Sequence, residues 1–450
     1  MERMIKFALL VLALLAPTLA YAGDATPPRV PGPPSLPGPP SLPGIDAPQL
    51  AALGLHKVGF RSITLVHKAQ PDFAAAGPPT RAIPLHDRTL LVDLWYPARS
   101  KPGAPVMTYR SSLFGEPPRA PVAFTVPGLA LADAAADGGG YPLVIVSHGY
   151  SNAPAMMTWL TENLASKGYV VAAMHHDDPN PYVVAPDARA VPNYTRPVDI
   201  AFVAAELRRS LGGLIDPSRV ALIGYSQGGY GVLTAGGASL DPDGPNMALV
   251  PGGWLKRIAH GGADEAAGKV PGVKAIVAIA PAGGQPRSAW GPEGLRAITA
   301  SLLLIQGTSD AVVDYKTGAL ALFTGATNAD RYLLTFKQAG HSIGLNPAPP
   351  EMRGSLWDHD WFEDSIWRQD RTNATNLHFI TAFLAVALKG EAEARSWLDV
   401  PVVNADEGVW NAPAGTPWGA YSPGGAGVTL WKGFQRRHAQ ALELRHAAPN

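Results

Sequence analysis

No cysteine occurs among the 450 residues. Its absence excludes disulfides, thiolate metal sites, a lipid-modified cysteine at a processing point and a cysteine nucleophile. A chain exported without disulfides relies on a large apolar core instead of covalent staples. Hydrophobic residues make up 46% of the sequence, enough for such a core. Net charge is missing too: Lys plus Arg and Asp plus Glu both number 36. A neutral chain offers no electrostatic case for binding nucleic acid. No repeat of 20–50 residues is visible, which sets solenoids and propellers aside.

The apolar stretch from Phe7 to Ala16 is too short to span a bilayer. With Arg3 and Lys6 before it and Ala20-Tyr21-Ala22 after it, residues 1–22 read as a secretory signal cleaved before Gly23. The mature chain is then secreted or periplasmic, with no membrane span. Proline is abundant just beyond: Pro-Gly-Pro-Pro-Ser-Leu occupies 31–36 and again 37–42. Such a segment favours extended polyproline conformations and builds no core. Residues 23–54 are therefore expected as a linker, and 55–450 as one catalytic domain.

Residues 56–68 and 89–96, rich in β-branched and apolar side chains, predict two strands. Residues 101–140, broken by Pro and Gly, predict mostly loop. A regular alternation follows. Strands are expected at 143–147, 169–174, 219–223, 274–280, 301–306 and, last, 331–337; helices at 155–167, 198–211 with Pro197 in the first turn, and 372–388. Continuously apolar strands alternating with helices indicate a mostly parallel central sheet with helices on both faces. Insertions near 239–270 and 345–371 break the rhythm, and either could wall or cover a site.

One stretch stands out. Gly224-Tyr225-Ser226-Gln227-Gly228-Gly229 follows the apolar run 220–223 and precedes a helix-compatible segment. Strand, sharp turn with a central serine, helix: this is the setting of a nucleophile elbow, and the flanking Gly224 and Gly228 leave room for it. A serine hydroxyl needs a histidine to take its proton and a carboxylate to orient that histidine. In a wound parallel sheet these groups must come from loops at the carboxyl ends of the strands. Asp310 follows the strand at 301–306, and His341 follows the strand at 331–337. The oxyanion of an acyl-transfer reaction needs N–H donors. The candidates are the backbone N–H groups of Gln227, directly after the serine, and Tyr150, in the loop after the strand at 143–147.

In Leu94-Trp95-Tyr96-Pro97, Ser147-His148-Gly149, Arg196-Pro197-Val198-Asp199, the elbow and the Asp310 and His341 turns, the chain resembles secreted α/β-hydrolases. It resembles the group that includes dienelactone-hydrolase-like esterases and platelet-activating-factor acetylhydrolases. The order Ser, Asp, His is that of the α/β-hydrolases. The elbow and the aromatic residue after the oxyanion glycine are also similar to polyester hydrolases and cutinases. The resemblance covers most of residues 55–390. It implies an α/β-hydrolase fold, a carboxylic ester hydrolase with catalytic Ser226, Asp310 and His341, a small-molecule or polymeric ester as substrate, and no metal or organic cofactor. Dienelactone hydrolases proper use cysteine, and this chain has none.

Each assignment has a competitor. Ser151 lies near the same mouth, Asp314 lies four residues after Asp310, and His359 and His378 stand against His341. His175-His176-Asp177-Asp178 has the composition of a metal site, but adjacent side chains of an extended segment point apart. It is expected to wall the pocket or fix loops. The tryptophans around His359 are expected to pack more than to clamp substrate. An amidase, peptidase or acyltransferase could use the same triad, and a retired scaffold could merely bind.

Overall fold

The computed structural model describes residues 38–76, 82–100, 103–114, 119–180, 182, 189–284, 288–409 and 428–450. The expected signal, and the linker as far as residue 37, lie outside them. No helix among the described residues is long and apolar enough to cross a membrane.

Strands β1 (Lys57–Pro71) and β2 (Leu85–Ala98) pair antiparallel along nearly their whole lengths. Residues 101–140 are not mostly loop. They form β3 (Val106–Leu113) and β4 (Val122–Ala132), paired antiparallel. Pro127 and Gly128 suggested a break in the sequence. Pro127 is instead tolerated beside a register irregularity, where β3 slips between Val106 and Thr108.

The middle of the sheet is parallel. It comprises β5 (Tyr141–Ser147), β6 (Val170–Met174), β7 (Ile215–Tyr225), β8 (Ala275–Ile279), β9 (Ser301–Gly307) and β10 (Arg331–Phe336). β6, β8 and β10 are buried along their whole length, as strands covered on both faces must be. A further strand, β11 (Leu442–Ala447), pairs antiparallel with β10, so 331–337 is not the last. Its alternation of buried Leu442 and Leu444 with polar residues suits an edge, and carries too weak an apolar signal to stand out. The full order is β11-β10-β9-β8-β7-β5-β6-β2-β1-β4-β3.

Among the described residues, four longer helices cover the sheet. Trp159, Leu160 and Leu164 of α1 (Thr158–Ser166) share one core layer with Leu377, Phe379 and Phe383 of α4 (Gln369–Leu384). Val198, Ile200 and Val203 of α2 (Pro192–Ser210) share the opposite layer with Val232 and Leu233 of α3 (Gln227–Ala235). Alternate residues of β5 feed the two layers, Val144 and Val146 on one side and Leu143 and Ile145 on the other. Layers on both faces of a largely parallel sheet make this an α/β-hydrolase fold.

α2 starts earlier than its sequence suggests, at Pro192, with Pro197 inside it. A proline has no N–H for the carbonyl four residues back. Here that carbonyl, of Asn193, accepts a 3.0 Å hydrogen bond from the Tyr230 hydroxyl of α3. A partner from another helix thus satisfies the group that the proline leaves unpaired.

Candidate active site

β5 and β7 are neighbours, and β5 also pairs with β6, so chain order reverses between them. Ligands of wound sheets bind beyond the carboxyl ends at such a switch point. β7 ends at Tyr225 and α3 begins at Gln227, leaving Ser226 as the whole turn. Its backbone sits at φ 53°, ψ −118°, strained for any residue with a Cβ. Three hydrogen bonds hold it there. The Ser226 N–H donates to the Ile279 carbonyl at 2.9 Å, and its own carbonyl accepts from the N–H groups of Tyr230 and Ala282 at 3.1 and 3.0 Å. Both flanks have to be glycine. A Cβ on Gly224 would lie 2.1 Å from the Gly228 carbonyl oxygen, and one on Gly228 would lie 2.0 Å from that of Ser147.

The structure brings Ser226, His341 and Asp310 together. Ser226 Oγ lies 3.0 Å from His341 Nε2, and His341 Nδ1 lies 2.8 Å from Asp310 Oδ2. Asp310 is buried, and its Oδ1 accepts the N–H groups of Val312 and Val313 at 2.9 and 2.8 Å. The turn after β9 therefore fixes the carboxylate before the histidine meets it. The Tyr225 ring packs at a tilt against His341, centroids 5.2 Å apart, and its hydroxyl donates to the His341 carbonyl at 3.1 Å. Burial, aided by Asp310, pushes the Tyr225 phenol up and keeps it a donor.

Gln227 opens α3, where N–H groups have no intrahelical acceptor, and its side-chain amide donates to Asn193 Oδ1 at 2.9 Å. Tyr150 lines the cleft, and its hydroxyl donates to the Pro179 carbonyl at 2.9 Å. Burial and the nearby Asp178 push that phenol up to about 12.

The competitors have other work. Ser151 donates its N–H to Asp178 Oδ2 at 2.9 Å and its hydroxyl to the Pro179 carbonyl at 3.3 Å. Asp314 accepts from the N–H of Thr317 at 2.9 Å. His378 is fully buried among Phe379, Trp397 and Phe434, which drives its pKa down to about 3. His359 belongs to the short helix Leu356–Asp360. Residues 175–178 disperse as expected of loop-fixing groups. His175 meets Asp93 at 2.9 Å, His176 bridges Ser147 Oγ and Asp199 at 3.0 Å each, and Asp178 pairs with Arg196.

The cleft has a volume of about 320 Å³. Tyr150, Tyr225, Val312, Trp357 and Trp361 form much of its wall. The tryptophans pack, as expected, against each other at 5.8 Å and against Phe114 at 6.1 and 5.4 Å. They also face the site, so the 345–371 insertion supplies a wall. Trp254 of the 239–270 insertion packs on Tyr194 of α2 at 5.5 Å instead. Sequence reasoning missed the part Arg196 plays. An arginine and an aspartate, Arg196 and Asp199, in a helix segment that is otherwise largely apolar were the available signal.

Residues 132–242 match the family model described as PETase, PET hydrolase-like. That stretch holds Tyr150, Arg196 and Ser226 and ends before Asp310 and His341. Over 105 residues the chain is 35% identical to Cutinase est1 of Thermobifida alba, covering 23% of this chain and 32% of that protein. Cutinase 2 of Thermobifida cellulosilytica is 35% identical over 105 residues, 23% of this chain and 36% of that protein. The chain thus spans about a third of the length of the curated relatives it matches. A solved structure, a ferulic acid esterase from Streptomyces cinnamoneus, superposes with a TM-score of 0.50 at 18% identity, covering 76% of this chain and 94% of the other. That likeness concerns the fold. Together these findings bear out the resemblance to α/β-hydrolase serine esterases.

Proposed function

We propose that the protein is a serine hydrolase that cleaves carboxylic esters through an acyl-enzyme. The observation that carries this reading is the unbroken relay Ser226–His341–Asp310, at 3.0 and 2.8 Å. Ser226 Oγ attacks the ester carbonyl while His341 Nε2 takes its proton. Asp310 accepts from Nδ1–H, holds the imidazole in the useful tautomer and stabilises the imidazolium. The N–H groups of Tyr150 and Gln227 donate to the oxyanion. Collapse of the tetrahedral intermediate expels the alcohol, which takes the proton from His341. Water then attacks the acyl-serine by the same route in reverse, releasing the acid and freeing Ser226.

The names of the relatives, cutinase and ferulic acid esterase, support an ester over an amide. The aromatic wall supports a bulky apolar or aryl group on the substrate. Residues 1–22 support export. Ser226→Ala should lower p-nitrophenyl acetate hydrolysis by at least about 10³-fold. Activity within tenfold of the parent refutes the assignment. Matched ester and amide substrates separate an esterase from an amidase.

A further inference from the structure

Arg196 of α2 is completely buried, and all five of its N–H donors are engaged. Nη1 donates to Ser147 Oγ at 3.2 Å and to the His148 carbonyl. Nη2 donates to the Gly149 carbonyl at 2.9 Å and to Asp178 Oδ2, and Nε donates to Asp178 Oδ1 at 3.3 Å. Asp178 in turn accepts the N–H of Ser151 at 2.9 Å. The pair therefore grips the loop on both sides of residue 150.

A trans peptide is planar, with its C=O and N–H pointing in opposite directions. The Gly149 carbonyl is turned toward Arg196. The Tyr150 N–H, at the other end of that plane, is turned away from the guanidinium, and both residues line the cleft. α2 also touches the second donor. Asn193 takes the Gln227 side chain on its Oδ1 and the Tyr230 hydroxyl on its carbonyl.

We propose that Arg196 and Asp178 are positioning residues for the oxyanion site: they fix the 149–150 peptide so that the Tyr150 N–H faces the reacting carbonyl, with α2 as the common frame for both donors. This rests on the serine-hydrolase reading above. Burying an ion pair is costly, and apolar side chains of similar volume often serve stability as well. The five-donor fork supplies what they cannot, a set orientation for two consecutive carbonyls. Lysine has only three donors at one point and cannot replace it.

The test uses Arg196→Lys and Asp178→Asn in the full chain, with phenylboronic acid as a tetrahedral mimic that adds to the serine. For p-nitrophenyl butyrate, kcat should fall about 10²-fold with KM within threefold, the size of losing one oxyanion donor. Affinity for the boronic acid should fall by the same factor as kcat/KM. A folded variant with kcat/KM within threefold of the parent overturns the proposal. So does a loss of kcat with boronic acid affinity intact, the mark of a merely structural role. Should neither variant fold, the parent protein decides: the amide protons of Tyr150 and Gln227 must both move downfield in NMR spectra on boronate binding, and a stationary Tyr150 amide overturns the proposal. Fluorophosphonate labelling of the parent at Ser226 keeps failure here distinct from failure of the serine-hydrolase reading.

Discussion

At the carboxyl rim of the sheet, Arg196 and Asp178 are buried as a pair, their side chains 0% and 1% exposed. At the opposite rim, Lys167, just before β6, has no carboxylate in contact among the described residues. Part of the residue stays exposed, but its ammonium is packed among protein atoms, donating to the Leu50 carbonyl at 2.6 Å and Thr381 Oγ1 at 2.8 Å. Burial, with Lys389 nearby, brings its pKa down to about 7. The two rims show two outcomes of burying a cation. Given a matched anion, it is held in an ion pair. Given only neutral acceptors, its pKa falls toward neutrality.

The strongest way to break this contrast is at Asp310, a second buried rim carboxylate, in contact with His341. Asp310→Asn should lower kcat about 10³- to 10⁴-fold by favouring the wrong imidazole tautomer. Asp314→Asn, at the contact with Thr317, should leave it within threefold. Steady-state assays of the two variants side by side read the difference, and equal losses would remove Asp310 from the relay.

A smaller effect sharpens the picture of the rim as a binding surface. Trp361→Ala opens the aromatic wall. KM for p-nitrophenyl benzoate should rise about tenfold, in keeping with roughly 1–1.5 kcal/mol of lost aromatic packing, while acetate is hydrolysed almost unchanged. Equal losses on both substrates would place the tryptophan in scaffolding alone.

A last effect, on stability, concerns the opposite rim. With the folded pKa of Lys167 near 7 and the unfolded value near 10.4, the unfolded chain holds the extra proton between those limits. Stability therefore rises with pH across that window. Urea unfolding should show the parent gaining on Lys167→Met by about 3.5 kcal/mol from pH 7 to pH 10, since the methionine variant lacks this titration. Parallel profiles would show that Lys167 is solvated.

The relay residues were legible because each is announced locally. Ser226 follows an apolar run and sits between glycines, while Asp310 and His341 each stand a few residues past a strand. The frame behind them was not. Arg196 meets His148 and Gly149 across nearly 50 residues, a relation that no spacing encodes. Pro197 read as a helix start because the hydroxyl that rescues Asn193 belongs to Tyr230, more than 30 positions on. β4 was hidden by Pro127, and β11 by its half-polar alternation, since at a sheet's margins the neighbour decides more than the residue.

Gly228 lies so close to the Ser147 carbonyl that no methyl group fits between them. The serine turn and the end of β5 are therefore one mechanical piece. As the sheet breathes, they travel together and keep their mutual distance. Asp310 and His341 hang from strands two and three places further along the sheet from β7, and the His341 segment is tied back to the serine turn by the ring and hydroxyl of Tyr225.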